Sequence, residues 1–147
     1  MPFESPSRFP IDQMLSGKAG DVLATSDHVW PELLVDAYEH GIFPWPTGDG
    51  APIPWCSPRR RAILFFSELR IPRSLEKARR KAASEGLFFT RNEAFAEVIR
   101  NCAEIPRPGQ DGTWITVEMM EAYTALAALG RAHSVEVWRP AGTETAY

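Results

Sequence analysis

Apolar side chains recur along this sequence at two different spacings, with stretches between them that follow neither. Leu33, Leu34, Ala37 and Tyr38 fall at helical spacing within residues 31–40, which predicts a helix with those four toward a core. Pro31 suits a first helical position, Glu32 opposes the positive end of the dipole, and Gly41 suits the left-handed residue past the C-terminus. Residues 62–66 (AILFF) form a short continuous apolar run and predict a buried strand. A helix is expected over 74–83 behind Pro72, then a strand over 87–90. Asn92 can cap a further helix to about residue 103, with Ala94, Phe95, Val98, Ile99 and Cys102 as its buried stripe. Thr116 can cap a long helix to Leu129, with Val117, Met120, Tyr123 and Leu126 on one face and Gly130 ending it. Residues 133–138 alternate and predict a strand with Val135 and Val137 inward.

Two segments lack such periods. Residues 1–26 are polar and turn-rich, and predict an irregular arm. Residues 41–58 hold five prolines, three glycines, Trp45 and Trp55. Proline donates no backbone hydrogen bond and restricts the residue before it, so regular structure is not expected there. Such a loop is stiff and holds Phe43, Trp45 and Trp55 in place. Either the tryptophans plug a junction between layers, or they form a binding surface on which little side-chain entropy is lost.

The chain has 147 residues, which allows one domain or one small domain plus part of another. Its 44% apolar content suffices for a core and excludes a wholly disordered chain. No apolar run reaches the roughly 18–20 residues of a membrane span, so no membrane association is expected. No basic region followed by an apolar stretch opens the sequence, so no secretion signal is expected. Cys56 and Cys102 lie far apart without a CxxC pair, which points to reduced thiols in a cytoplasmic protein and to no zinc site.

Net charge is −3, but it is unevenly spread. Residues 1–57 carry net −6, residues 58–81 net +7, and residues 82–147 net −4. Within the positive block Arg73, Lys77, Arg80 and Lys81 share one side of the predicted helix. A solvated helix face is one reading of this block, and a local contact to a polyanion is the other. No P-loop, GxGxxG, HExxH or GxSxG motif occurs. His28, His40 and His133 are scattered, and alternation puts His133 and Ser134 on opposite faces, so His133 is read as structural. Aromatics that stack on a base and cations that hold phosphates suit recognition of a single-stranded or terminal nucleic acid.

Three segments carry more than pattern. They are LLVDAYEHGIFPWP with PIPWCSPRRRAILF, then FAEVIRNCAE, then GTWITVEMMEAYTALAALGRAHSVEVW. Together they resemble the leucyl/phenylalanyl-tRNA–protein transferase family, from about Leu15 to Trp138. The resemblance implies an aminoacyltransferase that moves leucine or phenylalanine from aminoacyl-tRNA to the N-terminal amine of proteins beginning with Lys or Arg. The product is an N-degron. The reaction is aminolysis of an ester, with aminoacyl-tRNA as co-substrate and no metal or other cofactor. It also implies that Trp45, Trp114 and Tyr123 contact the 3′-terminal adenosine, and that Arg73, Lys77, Arg80 and Lys81 hold the acceptor stem.

The fold so implied is α+β: a small N-terminal domain over residues 1–60, then the first part of an acetyltransferase-like (GNAT-type) domain over 61–147. The family's Gly-Glu-Ser segment, which carries its catalytic carboxylate, has no counterpart in this sequence, so the catalytic residues are unassigned. Missing strands would leave an unpaired sheet edge. The chain alone is therefore expected to be marginal, aggregating or dimeric unless a complementing C-terminal fragment supplies them. A noncatalytic module for the tRNA 3′ end and a nonfunctional truncated product are the alternatives. One local departure is SDHVW at residues 26–30, where the family has a Gly-Gly-Asp turn and a serine cap; Trp30 offers no capping oxygen, at a cost of about 1 kcal/mol.

Overall fold

A computed structural model describes residues 7–48, 50–106, 108–109 and 113–139. Expectations for residues 1–6 of the arm, for Asp49, for part of the loop near 107–112 and for residues 140–147 lie outside the described residues. The elements run α1 (Ile11–Leu15), β1 (Val22–Ser26), α2 (Pro31–Glu39), β2 (Phe43–Pro44) and β3 (Ile53–Cys56). A 3₁₀ turn (Phe66–Glu68) follows, then α3 (Arg73–Ser84), β4 (Phe88–Arg91), α4 (Phe95–Glu104), α5 (Val117–Ala128) and β5 (Val135–Trp138). Helices and two antiparallel sheets, ordered β1-β3-β2 and β4-β5, make an α+β fold.

The proline-rich stretch is more regular than its composition predicts. It contains β2 and β3, paired Phe43 to Cys56 and Pro44 to Trp55. The short ladder tolerates proline because the linking bond, Trp45 N–H to the Pro54 carbonyl at 2.8 Å, uses a proline oxygen and no proline nitrogen. The N-terminal arm is likewise ordered in part, as α1 and as β1, whose residues pair with β3. Both elements are only five residues long, too short to show a period.

The core gathers Phe9, Val29, Leu33, Leu34, Ala37, Ile42, Ile53 and Trp55 with Met119, Ala122 and Leu126 of α5. Helix α5 thus buries Met119, Ala122 and Leu126; Val117, expected inward, is exposed. Tyr38, expected in the core, lies at its surface. Helix α2 starts at Trp30 with no side-chain cap, as its sequence indicates, and ends at Gly41, whose φ of 70° lets the Ile42 N–H reach the Ala37 carbonyl at 2.8 Å. Arg59 donates to the Gly17 carbonyl, and Arg61 donates to the Gly41 carbonyl at 2.8 Å and to Ser57 Oγ at 2.6 Å. Part of the positive block therefore fastens α1 and α2 to the end of β3.

Beyond Arg61 the expected helices and the last two strands form, but the expected burial fails in one consistent way. Residues 62–66 form no strand, and Ile63, Leu64, Phe65 and Phe66 are all exposed. A buried strand needs neighbours on its edges and faces, and none of the described residues supplies them. On β5 the alternation is inverted. Val135 and Val137 face outward, while Glu136 is buried at 6% exposure. The stripe of α4 is only half-buried, and Cys102 is exposed.

Glu136 is buried because three donors converge on it. Ser134 Oγ and Thr90 Oγ1 (2.6 Å) donate to its carboxylate, and the Ala94 N–H at the start of α4 lies at 3.4 Å. Thr90 Oγ1 in turn accepts from Trp138 Nε1 at 2.6 Å. Asn92, expected as a helix cap, instead takes a left-handed φ of 63° and accepts the Ser134 N–H at 3.1 Å, with Ala94 at the helix cap position. The Ser134 and Thr90 hydroxyls, with backbone N–H groups, outweigh desolvation and hold the Glu136 pKa below the ordinary carboxylate value. A depressed native pKa contributes stability that is present above the unfolded-state value and is lost as pH falls through the native one. Thermal unfolding followed between pH 7 and pH 3 is therefore expected to show a falling midpoint, with a shallower fall in Glu136→Gln. An identical slope in that variant would contradict the role given to this carboxylate.

Candidate nucleic-acid interface

The two tryptophans of the proline-rich segment have opposite fates. Trp55 is 1% exposed, tilted against Phe9 at 5.3 Å, and its Nε1 donates to Ser26 Oγ at 2.9 Å. It plugs the core. Trp45 lies just past the opposite strand and is 53% exposed. Its indole lies nearly parallel to Trp114, at 8° and 6.4 Å between centroids. The edge contact with Phe43, at 6.1 Å and 75°, supports it from the side. An exposed large aromatic held by two other rings is a plate on which a flat π-system can lie.

Trp114 reaches this plate from the loop ahead of α5, half-buried against the core. Thr116 caps α5 by accepting the Met119 N–H at 3.2 Å. Glu118 Oε1 accepts the Val29 N–H at 2.7 Å and lies 3.2 Å from His28 Nδ1, which ties the first turn of α5 to the chain entering α2. At the other end Arg131 lies 3.6 Å from Glu39. Between these ties Tyr123 hydrogen-bonds Tyr38, hydroxyl to hydroxyl, with rings 6.3 Å apart. Burial pushes the Tyr38 phenol up to about 12, so it stays protonated at neutral pH. Helical spacing puts Tyr38 toward the core, and no spacing signal pairs it with a residue 85 positions away.

The cations stand apart from the plate. Arg73, Lys77, Arg80 and Lys81 project from α3, a helix with no buried residue. Among the described residues only Lys81 of these four has an ion-pair partner, Glu85 at 3.5 Å at the C-terminal cap of the helix. Arg79 pairs with Glu76. Beside the plate, between the 46–53 turn and the start of α5, lies a cleft of about 610 Å³ that carries Asp27, Glu118 and Glu121. One surface thus suits polyanions and another suits cations. Among the described residues no group of three or more His, Cys, Asp or Glu could hold a metal ion. His133 bonds Asn92, a structural setting.

Comparison with known proteins gives a consistent result. A family model described as leucyl/phenylalanyl-tRNA protein transferase matches residues 63–144, and one for the N-terminal domain of the same transferase matches residues 30–59. A leucyl/phenylalanyl-tRNA–protein transferase of Dechloromonas aromatica is 48% identical over 130 residues, covering 88% of this chain and 54% of the relative. One of Myxococcus xanthus is 46% identical over 136 residues, covering 92% and 55%. One of Nitratidesulfovibrio vulgaris is 48% identical over 124 residues, covering 83% and 51%. The chain spans about half the length of the curated relatives it matches.

The contrast between the two indoles is measurable. Trp55→Ala is expected to cost about 3–5 kcal/mol in urea unfolding, as for a buried aromatic. Trp45→Ala is expected to cost no more than about 1.5 kcal/mol, the worth of its ring contacts. Equal losses would mean that Trp45 is a core residue.

Proposed function

This chain belongs to the leucyl/phenylalanyl-tRNA–protein transferase family, and from that membership we propose that it carries the part of an aminoacyltransferase that grips the 3′ end of an aminoacyl-tRNA. The observation that carries this reading is the open indole face of Trp45 parallel to Trp114. The terminal adenine stacks there, with Tyr123 alongside. Arg73, Lys77, Arg80 and Lys81 hold acceptor-stem phosphates, as unburied cations on one helix face can. The second substrate is a polypeptide whose N-terminal residue is Lys or Arg, and the acidic cleft beside the plate suits that positive charge. Both substrates are macromolecules of the cytoplasm, where we place the protein. The second domain continues as an acetyltransferase-like sheet.

In the complete reaction the free amine attacks the ester carbonyl of the leucyl or phenylalanyl group. A C–N bond forms, the ester C–O bond breaks, and the tRNA 3′-hydroxyl leaves with a proton. Holding both reactants in line supplies much of the rate, and a base must take the proton from the amine. Tyr38 does not provide that base, because burial raises its phenol pKa and keeps it protonated at neutral pH. In the family the catalytic carboxylate belongs to the Gly-Glu-Ser segment that has no match in this chain. This favours binding without transfer by the chain alone, with the reaction completed when a complementing C-terminal fragment is present.

Two outcomes follow. Trp45→Ala is expected to weaken binding of a minihelix ending in CCA-phenylalanine by about 1–3 kcal/mol. Lys77→Ala with Arg80→Ala is expected to lower the slope of log affinity against log salt by about 2. Unchanged affinity in both variants would remove the nucleic-acid reading. In a second assay, the chain with Phe-tRNA and an Arg-initiated peptide is expected to bind but to transfer no phenylalanine. Robust transfer by the chain alone would overturn the binding-only assignment.

A further inference from the structure

Strands β2 and β3 carry the plate at one end, where Trp45 meets Pro54, and a second concavity at the other, past the Phe43–Cys56 pair. It encloses about 370 Å³, and His40, Ser57, Arg59 and Arg61 line it with Ala19 and Gly20. Two guanidinium groups thus share one small cavity. Like charges gathered in this way repel unless something negative lies between them.

The described residues do not supply that negative charge as an ion pair. Neither Arg59 nor Arg61 is paired with a carboxylate among them. Their partners are neutral. Arg59 donates to the Gly17 carbonyl, and Arg61 donates to the Pro58 and Gly41 carbonyls and to Ser57 Oγ. A guanidinium has more N–H groups than these bonds use, and a carbonyl leaves its charge uncancelled. Two carboxylates bond nearby, and neither lines the cavity. Asp36 Oδ1 lies 3.2 Å from His40 Nδ1, and Asp21 accepts the Arg59 backbone N–H at 3.4 Å.

Glycine makes the close approach possible. Gly17 and Gly41 have left-handed φ values of 69° and 70°. A Cβ at Gly17 would collide with the Arg59 guanidinium, and one at Gly41 would lie 3.2 Å from Arg61 Nη1. Both guanidinium groups are therefore anchored by backbone before any ligand arrives, which limits the entropy lost on binding.

We propose that this cavity is a binding site for a phosphate group, separate from the indole plate. Arg59 and Arg61 donate charge-assisted bonds to its oxygens. A phosphate suits the cavity better than a carboxylate does, because its oxygens point in several directions and engage both forks at once, whereas a carboxylate fits a single fork. The group belongs either to an RNA backbone or to a small phosphorylated compound, and the recognising chemistry is the same for both. The site does not depend on the tRNA reading, since it is tested without RNA.

The test titrates the full chain with inorganic phosphate at constant ionic strength and follows the arginine Nε–H resonances by NMR. The Arg59 and Arg61 signals are expected to shift saturably with phosphate and to stay in place with chloride. Arg59→Gln is expected to weaken phosphate binding by about tenfold or more, the worth of a charge-assisted bond. Gly20→Asp places a carboxylate in the cavity at a position where a Cβ meets nothing within 4 Å, so it is expected to abolish binding while leaving circular dichroism unchanged. No saturable shift, equal shifts with chloride, or full affinity in Gly20→Asp would each overturn the proposal. Two further titrations identify the source. Shifts of the same signals by the minihelix, reversed by excess phosphate, support the site with RNA as its ligand. Shifts with ribose 5-phosphate and none with the minihelix support it with a small compound as its ligand. Failure of the phosphate titration leaves the tRNA reading standing, because that reading is tested at Trp45.

Discussion

Strand β3 sends one indole inward while its neighbour across the ladder delivers another outward, and the candidate site depends on that division. Trp55 fills the core between Phe9 and Ser26. Its register partner is Pro44, and the next residue, Trp45, is held to Pro54 by a backbone bond. Proline at positions 44, 46, 52 and 54 narrows the backbone choices on both sides of the turn. The exposed ring therefore sits on a backbone fixed by a buried one. Little conformational entropy remains to be lost when a ligand stacks on it.

The second half of the plate comes from far along the chain. Trp114 approaches from the loop ahead of α5, whose Met119, Ala122 and Leu126 share the core with α2 and β3. Glu118 at one end and Arg131 at the other fasten the helix, and the Tyr38–Tyr123 pair lies between them. The plate is thus a seam between two sequence regions, closed by apolar burial and aligned by a few polar ties. The cationic helix α3 shares none of that burial, which suits a surface that meets phosphates without bearing the fold.

What the sequence makes legible follows from where burial is complete. Helices α2, α3 and α5 are clear because each is long enough to show its period or its caps. The short strands around the prolines are hidden, since two to four residues show no alternation and proline argues against pairing. Residues 62–66 and β5 mislead for a different reason. Their apolar character is that of a covered sheet, yet the side chains of Ile63, Leu64, Phe65, Phe66, Val135 and Val137 are all exposed. Glu136 is buried in β5 only because Ser134 and Thr90 supply its hydrogen bonds, which alternation cannot reveal. At the site, Trp45 is suggested by its stiff loop, whereas Trp114 and Tyr123 are reached only through family resemblance. Tyr38 escapes both routes.

The central claim is that the open indole pair, and not the buried indole, meets the end of the RNA. Fluorine NMR of the chain labelled with 5-fluorotryptophan reads this directly, with each resonance assigned by substitution. On addition of a minihelix carrying a non-hydrolysable aminoacyl group, the signals of Trp45 and Trp114 are expected to shift while that of Trp55 stays in place. Stationary Trp45 and Trp114 signals at saturating minihelix would contradict the account.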